Sequence, residues 1–238
     1  MLVSTDTVYW TDDLPSFCTP LLRGYTLDKA LSAMNLSQQD RDLVAKCPSW
    51  REYYANTFVV RAPIDFTLYS DGQGNMGINT ELDEPWRSRA FQHLTKNLHQ
   101  LLLPDVFFSD KPMKIEQIRP VLVGSEVHNH IEMIQGSFDI GRWFRAMAFG
   151  FRVKENEQTV IQINRNEPLY FIRFITDKPV VLKRFNMTPK LLDILENVFM
   201  VKNSQATFYT KMENYYRLFE ERRLRKTILS EIKNNLES

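Results

Sequence analysis

Residues 106–185 constrain the fold more than any other part of the chain. Six stretches there, at 113–119, 126–134, 143–153, 158–164, 168–175 and 180–185, are rich in β-branched and aromatic residues. Between them stand "RPVLVGS", "QGSFDIG", "KENEQ", "NRNEP" and "TDKP", all built from residues that favour turns. Short strands at this spacing form sandwiches or barrels. In 143–153 Trp143, Met147, Phe149 and Phe151 alternate with Phe144, Ala146, Ala148 and Gly150. Both faces are apolar, as in a strand covered on both sides. The upstream run "TFVVRAPIDFTLYS" (57–70), the turn "SDGQGN" and "MGINTEL" extend the β texture.

Helical signals flank this block. Leu27, Ala30, Leu31 and Met34 fall at helical spacing, and Ser37 is a candidate cap for a helix holding Leu43 and Val44. Residues 1–25, broken by Pro15, Pro20 and Gly24, read as an irregular arm. Residues 85–103 are compatible with a helix or with a strand through Phe91–Thr95. After Phe185, Thr188 and Pro189 open a helix with Leu191, Leu192, Leu195, Val198 and Phe199 on one stripe. A second helix is expected over 206–236. It carries Phe208, Met212, Tyr215 and Phe219, then charges, then Ile228, Leu229 and Ile232. The distal block is expected to project and meet a protein partner or a second copy.

The fold expected is therefore mainly β with helical additions. It has an arm with short helices (1–56), a β-sandwich or jelly-roll or cupin-like barrel (57–185), and two C-terminal helices (186–238). At 238 residues and 43% hydrophobic, the chain can bury a sizeable core. A formal charge of +1 argues against a polyanion binder acting through the whole chain. Cys18 and Cys47 are too few for a disulfide framework, so a reducing setting is expected. The first residues lack the pattern of a signal peptide, and no apolar run is long enough to span a bilayer. No membrane association or secretion is expected, and the triplets at Asn35 and Asn186 carry no weight as glycosylation sites.

Few residues suggest chemistry. In "GSEVHNHIEMIQG", His128, His130 and Glu132 alternate, so a strand would place them on one face. Two imidazoles and a carboxylate can hold a divalent ion. The pattern is similar to the first cupin motif, but Glu132 follows His130 too closely, and no later histidine completes the set. A half-exposed strand with a polar face is the plainer reading, and no cofactor is expected. "GQGNMG" (72–77) matches a dinucleotide fingerprint but opens no helix, so Asp71-Gly72 reads as a hairpin turn. Carboxylates at Asp12-Asp13 and Glu81–Glu84 read as solvated surface. The basic cluster "EERRLRKT" (220–227) could contact nucleic acid, yet flanking Glu220, Glu221 and Glu231 allow ion pairs instead. In the turn 136–145, Asp139 can accept from turn amides, and Trp143 and Phe144 can anchor the core. Arg142 and Arg145 can pair with Asp139 or reach a ligand.

"FFSDKPMKI" (107–115), "GSFDIGRWFR" (136–145), "INRNEPLYFIRFITDKPVVLKRF" (163–185) and "CPSWREYYANTFVVRAPIDF" (47–66) together carry a resemblance. The chain resembles a family of tailed-phage proteins, notably from large phages of marine cyanobacteria, with no established activity. The resemblance covers most of 47–185 and supplies no catalytic residues. It implies a phage accessory or structural protein, in the host cytoplasm during infection or in the virion, acting through protein–protein contacts. A metal-dependent or small-molecule enzyme on a cupin-like barrel is the alternative, and nucleic-acid binding through the last helix is a third.

Overall fold

The computed structural model describes residues 4–14, 27–81, 87, 90–153, 158–204 and 211–237. Cys18, most of the acidic run at 81–84, the turn at 154–157 and Phe208 lie outside them.

The described elements are β1 (Asp6–Thr11), α1 (Ala30–Ala33), α2 (Gln38–Lys46), α3 (Pro48–Tyr54), β2 (Thr57–Arg61), β3 (Phe66–Asp71), β4 (Met76–Thr80), β5 (Phe91–Thr95) and β6 (Leu98–Ser109). They continue with β7 (Lys114–Ile118), α4 (Val127–His130), β8 (Ile131–Met133), β9 (Gly136–Asp139), β10 (Ala146–Val153), β11 (Gln158–Ile163), β12 (Pro168–Ile175) and β13 (Val180–Arg184). Last come α5 (Pro189–Ser204), α6 (Met212–Glu221) and α7 (Leu224–Asn234).

The chain is mainly β with helical additions at both ends. The strands form three separate sheets, and none closes into a barrel. The largest runs β13-β1-β6-β10-β8, with β5 paired to the first part of β6. A four-stranded sheet runs β2-β12-β7-β9, and a three-stranded one runs β11-β3-β4.

Strand alternation makes the six-stranded sheet a central layer. Leu101, Leu103 and Phe107 of β6 join Val8 and Trp10 of β1 in a core shared with both other sheets. The intervening Val106, Phe108 and Tyr9 face the C-terminal helices, where Leu191, Leu195, Val198, Phe219, Ile228 and Ile232 cover them. β6 is buried almost throughout because both its faces are covered. Its Pro104 falls where one edge passes from pairing with β5 to pairing with β1, a position that needs no ladder donor. The outer face of the four-stranded sheet is also covered: Val59 and Phe171 pack under Ala30, Met34 and Tyr54.

Several expectations are met locally. Ser37 caps α2, accepting from the Asp40 amide at 3.1 Å. Thr188 caps α5, accepting from the Leu191 amide at 3.2 Å. Asp71-Gly72 turns the β3–β4 hairpin, with Gly72 at φ 71°.

Others are corrected. Asp6–Thr11 is an interior strand, not part of an irregular arm; β13 runs parallel to it and β6 antiparallel. Of the two readings left open for 85–103, the strand through Phe91–Thr95 holds: it is β5, paired with β6 in a hairpin. The stretch read as a strand over 126–134 begins with a helical turn, and only Ile131–Met133 pair with β10. The single long C-terminal helix is broken, because Arg223 takes the left-handed conformation (φ 52°) and separates α6 from α7. α7 therefore folds back. Phe185 bridges Leu236, and the Asn186 amide donates to the Asn235 carbonyl at 2.9 Å. Ile228 and Ile232 are fully buried in the chain's own core, and Leu229 packs against it. They are not a projecting partner surface. Truncation after Arg223 is accordingly expected to lower the midpoint of thermal unfolding of the whole domain, since losing either buried isoleucine costs ~2–5 kcal/mol. Circular dichroism of the truncated chain checks this: an unchanged melt would mean that α7 adds nothing to the fold.

Candidate functional site

The residues singled out as a metal set do not converge. His128 lies on α4, is buried, and has its Nε2 3.2 Å from the Pro168 carbonyl oxygen. His130 ends the same turn, half-buried. Glu132 lies on β8 and pairs with Arg152, its partner across the ladder on β10. The helical turn replaces the alternation that would have put the three side chains on one face. Among the described residues no group of three or more His, Cys, Asp or Glu is placed to hold a metal ion.

Of the expected turn at 136–145, Gly136–Asp139 is strand β9, paired with β7, and the turn that follows it is held as its residue types suggest, with different partners for the arginines. Asp139 Oδ1 accepts from the Gly141 amide at 2.8 Å and from the Met113 amide at 3.0 Å. The Asp139 amide donates to the Tyr216 hydroxyl at 2.7 Å, tying the turn to α6. Gly141 is required by close approach: a Cβ there would stand 2.1 Å from the Lys111 carbonyl oxygen. Arg142 pairs with Glu213 at 2.8 Å and Glu220 at 2.7 Å and lies over the Tyr216 ring. Arg145 donates to the Ala146 carbonyl at 3.0 Å and lies over Phe138. Trp143 and Phe144 are both buried. Asp139→Ala is expected to cost ~1–3 kcal/mol by leaving the Met113 and Gly141 amides unpaired. Chemical denaturation measures it; a midpoint equal to wild type would remove Asp139 from the fold's supports.

On the last two helices Arg217 stands 3.8 Å from Glu221 and Arg225 donates to the Asp110 backbone carbonyl, while Glu231 pairs with Lys190 of α5 at 3.4 Å.

The most perturbed ionisable groups were not singled out from the sequence. Asp12, expected at the surface, is fully buried. The antiparallel β1–β6 register, which pairs Thr11 with Val106, continues to place Asp12 opposite Asp105. Asp105 is buried too. Arg184, on the neighbouring β13, pairs with Asp12, lies over the Trp10 ring and stands 3.2 Å from Glu237. Burial, and then the charge of Asp12, push the Asp105 carboxyl well above the usual aspartate range. Tyr170, buried nearby, is likewise pushed well up by burial and then by Asp105. The signal was available: Asp105 interrupts the apolar run "LLLPDVFF", and aspartate is rarely fully buried without a partner.

A different feature faces solvent. The outward residues of the three-stranded sheet are Thr67, Tyr69 and Asp71 on β3, Gln158, Val160 and Gln162 on β11, and Gly77 and Asn79 on β4. Tyr69 sits between Val160 on one side and Gly77 on the other. Tyr69 is 42% exposed and Val160 61%. A Cβ at Gly77 would meet nothing within 4 Å, so an open lane runs beside the tyrosine ring. Within the three strands, Asp71 at one corner is the one charged residue on this face among the described residues. An apolar, aromatic centre with a polar rim and few charges is the anatomy of a protein-binding patch.

No helix of the described residues is long and apolar enough to cross a membrane. Comparison of the chain with protein-family models, with curated proteins and with solved structures found no match to any of them.

Proposed function

We propose that this protein is a non-enzymatic structural or accessory component that works through protein–protein contacts, and that its first contact is with a second copy of itself. The observation that carries this reading is the outer face of β11-β3-β4, which none of the described elements covers. The β region reads as sandwich-like layers. Helices cover the outer face of the four-stranded sheet and the far face of the six-stranded sheet. The three-stranded sheet instead offers Tyr69 and Val160 to solvent.

The face is complementary to itself. Tyr69 is a ridge and the gap over Gly77 a groove, side by side on neighbouring strands. A two-fold axis through the patch would lay each tyrosine in the other copy's lane, the isologous arrangement of most homodimers. Three strands of five or six residues span roughly 14 Å by 17–20 Å. That is below the ~800 Å² per partner of a standard stable interface. Contact through this face alone is therefore weak, and it becomes strong only when repeated in an assembly. That behaviour suits a tailed-phage structural or accessory component, the setting implied by the sequence resemblance.

Gly77→Val tests the fit. Valine suits a strand, and the position has room for it, so the fold is expected to survive. Light scattering should then show loss of the concentration-dependent association expected of wild type. Association of wild-type strength in Gly77→Val would rule out docking through the lane.

A further inference from the structure

The β5–β6 hairpin brings together two histidines six residues apart. His93 and His99 are register partners across the ladder. Their Nδ1 atoms stand 3.0 Å apart. His99 is only 1% exposed, and its ring is clamped by Phe91, stacked at 5.8 Å, and by Phe151 at 6.0 Å. His93 lies at the surface, with Phe91 edge-on to it at 5.1 Å. One imidazole is thus fixed in the core and the other opens to solvent, with the two Nδ1 atoms in hydrogen-bond contact.

We propose that His93 and His99 form a two-imidazole chelating site for a divalent transition-metal ion, with copper(II) favoured over nickel(II) and zinc(II). Nitrogen ligands about 2.0–2.1 Å from an ion, at square-planar to tetrahedral angles, lie roughly 2.8–3.4 Å from each other. The observed 3.0 Å falls inside that interval. The hairpin ladder and the aromatic clamp set this separation before any ion arrives, so little ordering remains to oppose binding. Imidazole suits copper, nickel and zinc, and copper binds most tightly in the divalent series.

Without metal, one ring's Nδ1–H faces the other ring's Nδ1 lone pair. On binding, that proton passes to Nε2 of its own ring and both Nδ1 lone pairs go to the ion. No proton is gained or lost, and no co-reactant is needed. No third His, Cys, Asp or Glu is placed beside the pair among the described residues, so the remaining positions are open to water or to an external ligand. Gln92 and Gln100, which flank the pair, are hydrogen-bonded to each other at 2.9 Å.

The experiment is a copper(II) titration of the metal-free, full-length protein, followed by electron paramagnetic resonance. The expected result is uptake of one ion per chain with hyperfine structure from two equivalent-type nitrogens. His93→Asn, at the surface, should abolish it. His130→Asn, on a different element, should leave it intact. Absence of uptake in wild type, uptake unchanged in His93→Asn, or equal loss in His130→Asn would each overturn the proposal.

Discussion

Arg184→Met is expected to destabilise the protein by ~3–5 kcal/mol, the cost of removing one partner of a buried ion pair. Arg184 is the cation paired with Asp12, and Asp12 faces Asp105 across the β1–β6 ladder. Two ionised carboxylates directly opposed and buried cannot both be tolerated, so Asp105 keeps its proton. The folded state holds that proton more tightly than the unfolded chain does. Stability from this group is therefore complete below the ordinary aspartate range. It is lost as pH rises through the raised folded-state value, at up to ~1.4 kcal/mol per pH unit. Asp105→Asn should abolish this loss and match or exceed wild-type stability at alkaline pH, because an amide carries no charge to neutralise. Denaturant midpoints measured across pH decide it. A wild-type profile that rises with pH over this window, or an Asp105→Asn variant with the wild-type slope, would place the proton elsewhere.

Trp143→Ala is expected to cost ~3–5 kcal/mol, as for large aromatic truncations in a core. The indole is buried between the sheet and the C-terminal helices. It packs edge-on against Tyr215 at 5.0 Å and lines a small apolar cavity with Val198, Leu218, Phe219 and Leu224. Truncation would enlarge that cavity and loosen α6, and with it the Arg142–Glu213 and Arg142–Glu220 pairs. Urea unfolding followed by tyrosine fluorescence measures the loss; a midpoint within error of wild type would mean that the helices pack independently of the turn.

The strands β7, β10, β11, β12 and β13 were legible because each combines β-branched and aromatic residues with a turn whose chemistry is local; β9 was not, because its residues read as the turn "QGSFDIG". The caps at Ser37 and Thr188 were legible for the same reason. What was missed depends on distant partners. Asp6–Thr11 reads as irregular beside Pro15 and Pro20, and becomes an interior strand only because β13 and β6 flank it. His-Asn-His at 128–130 has the alternation of a strand but takes a helical turn, with Arg119 donating to the His128 carbonyl at 3.0 Å. The break at Arg223 has no glycine to announce it. The left-handed residue there is imposed by Ile228 and Ile232 finding the core. Asp12 looked solvated because Asp105 and Arg184, which bury it, are some 90 and 170 residues away in sequence. The Tyr69 face could not be read as uncovered until the helices covering the other sheets were placed.

The most direct test of action through protein contacts is sedimentation velocity of the full-length chain over a wide concentration range, beside a Tyr69→Lys/Val160→Lys double variant. Both side chains point to solvent, so the variant should retain wild-type circular dichroism. Wild type is expected to self-associate reversibly as concentration rises, and the variant to remain monomeric throughout. A wild-type chain that stays monomeric to its solubility limit, or a folded variant that associates equally well, would contradict self-association through the β11-β3-β4 face.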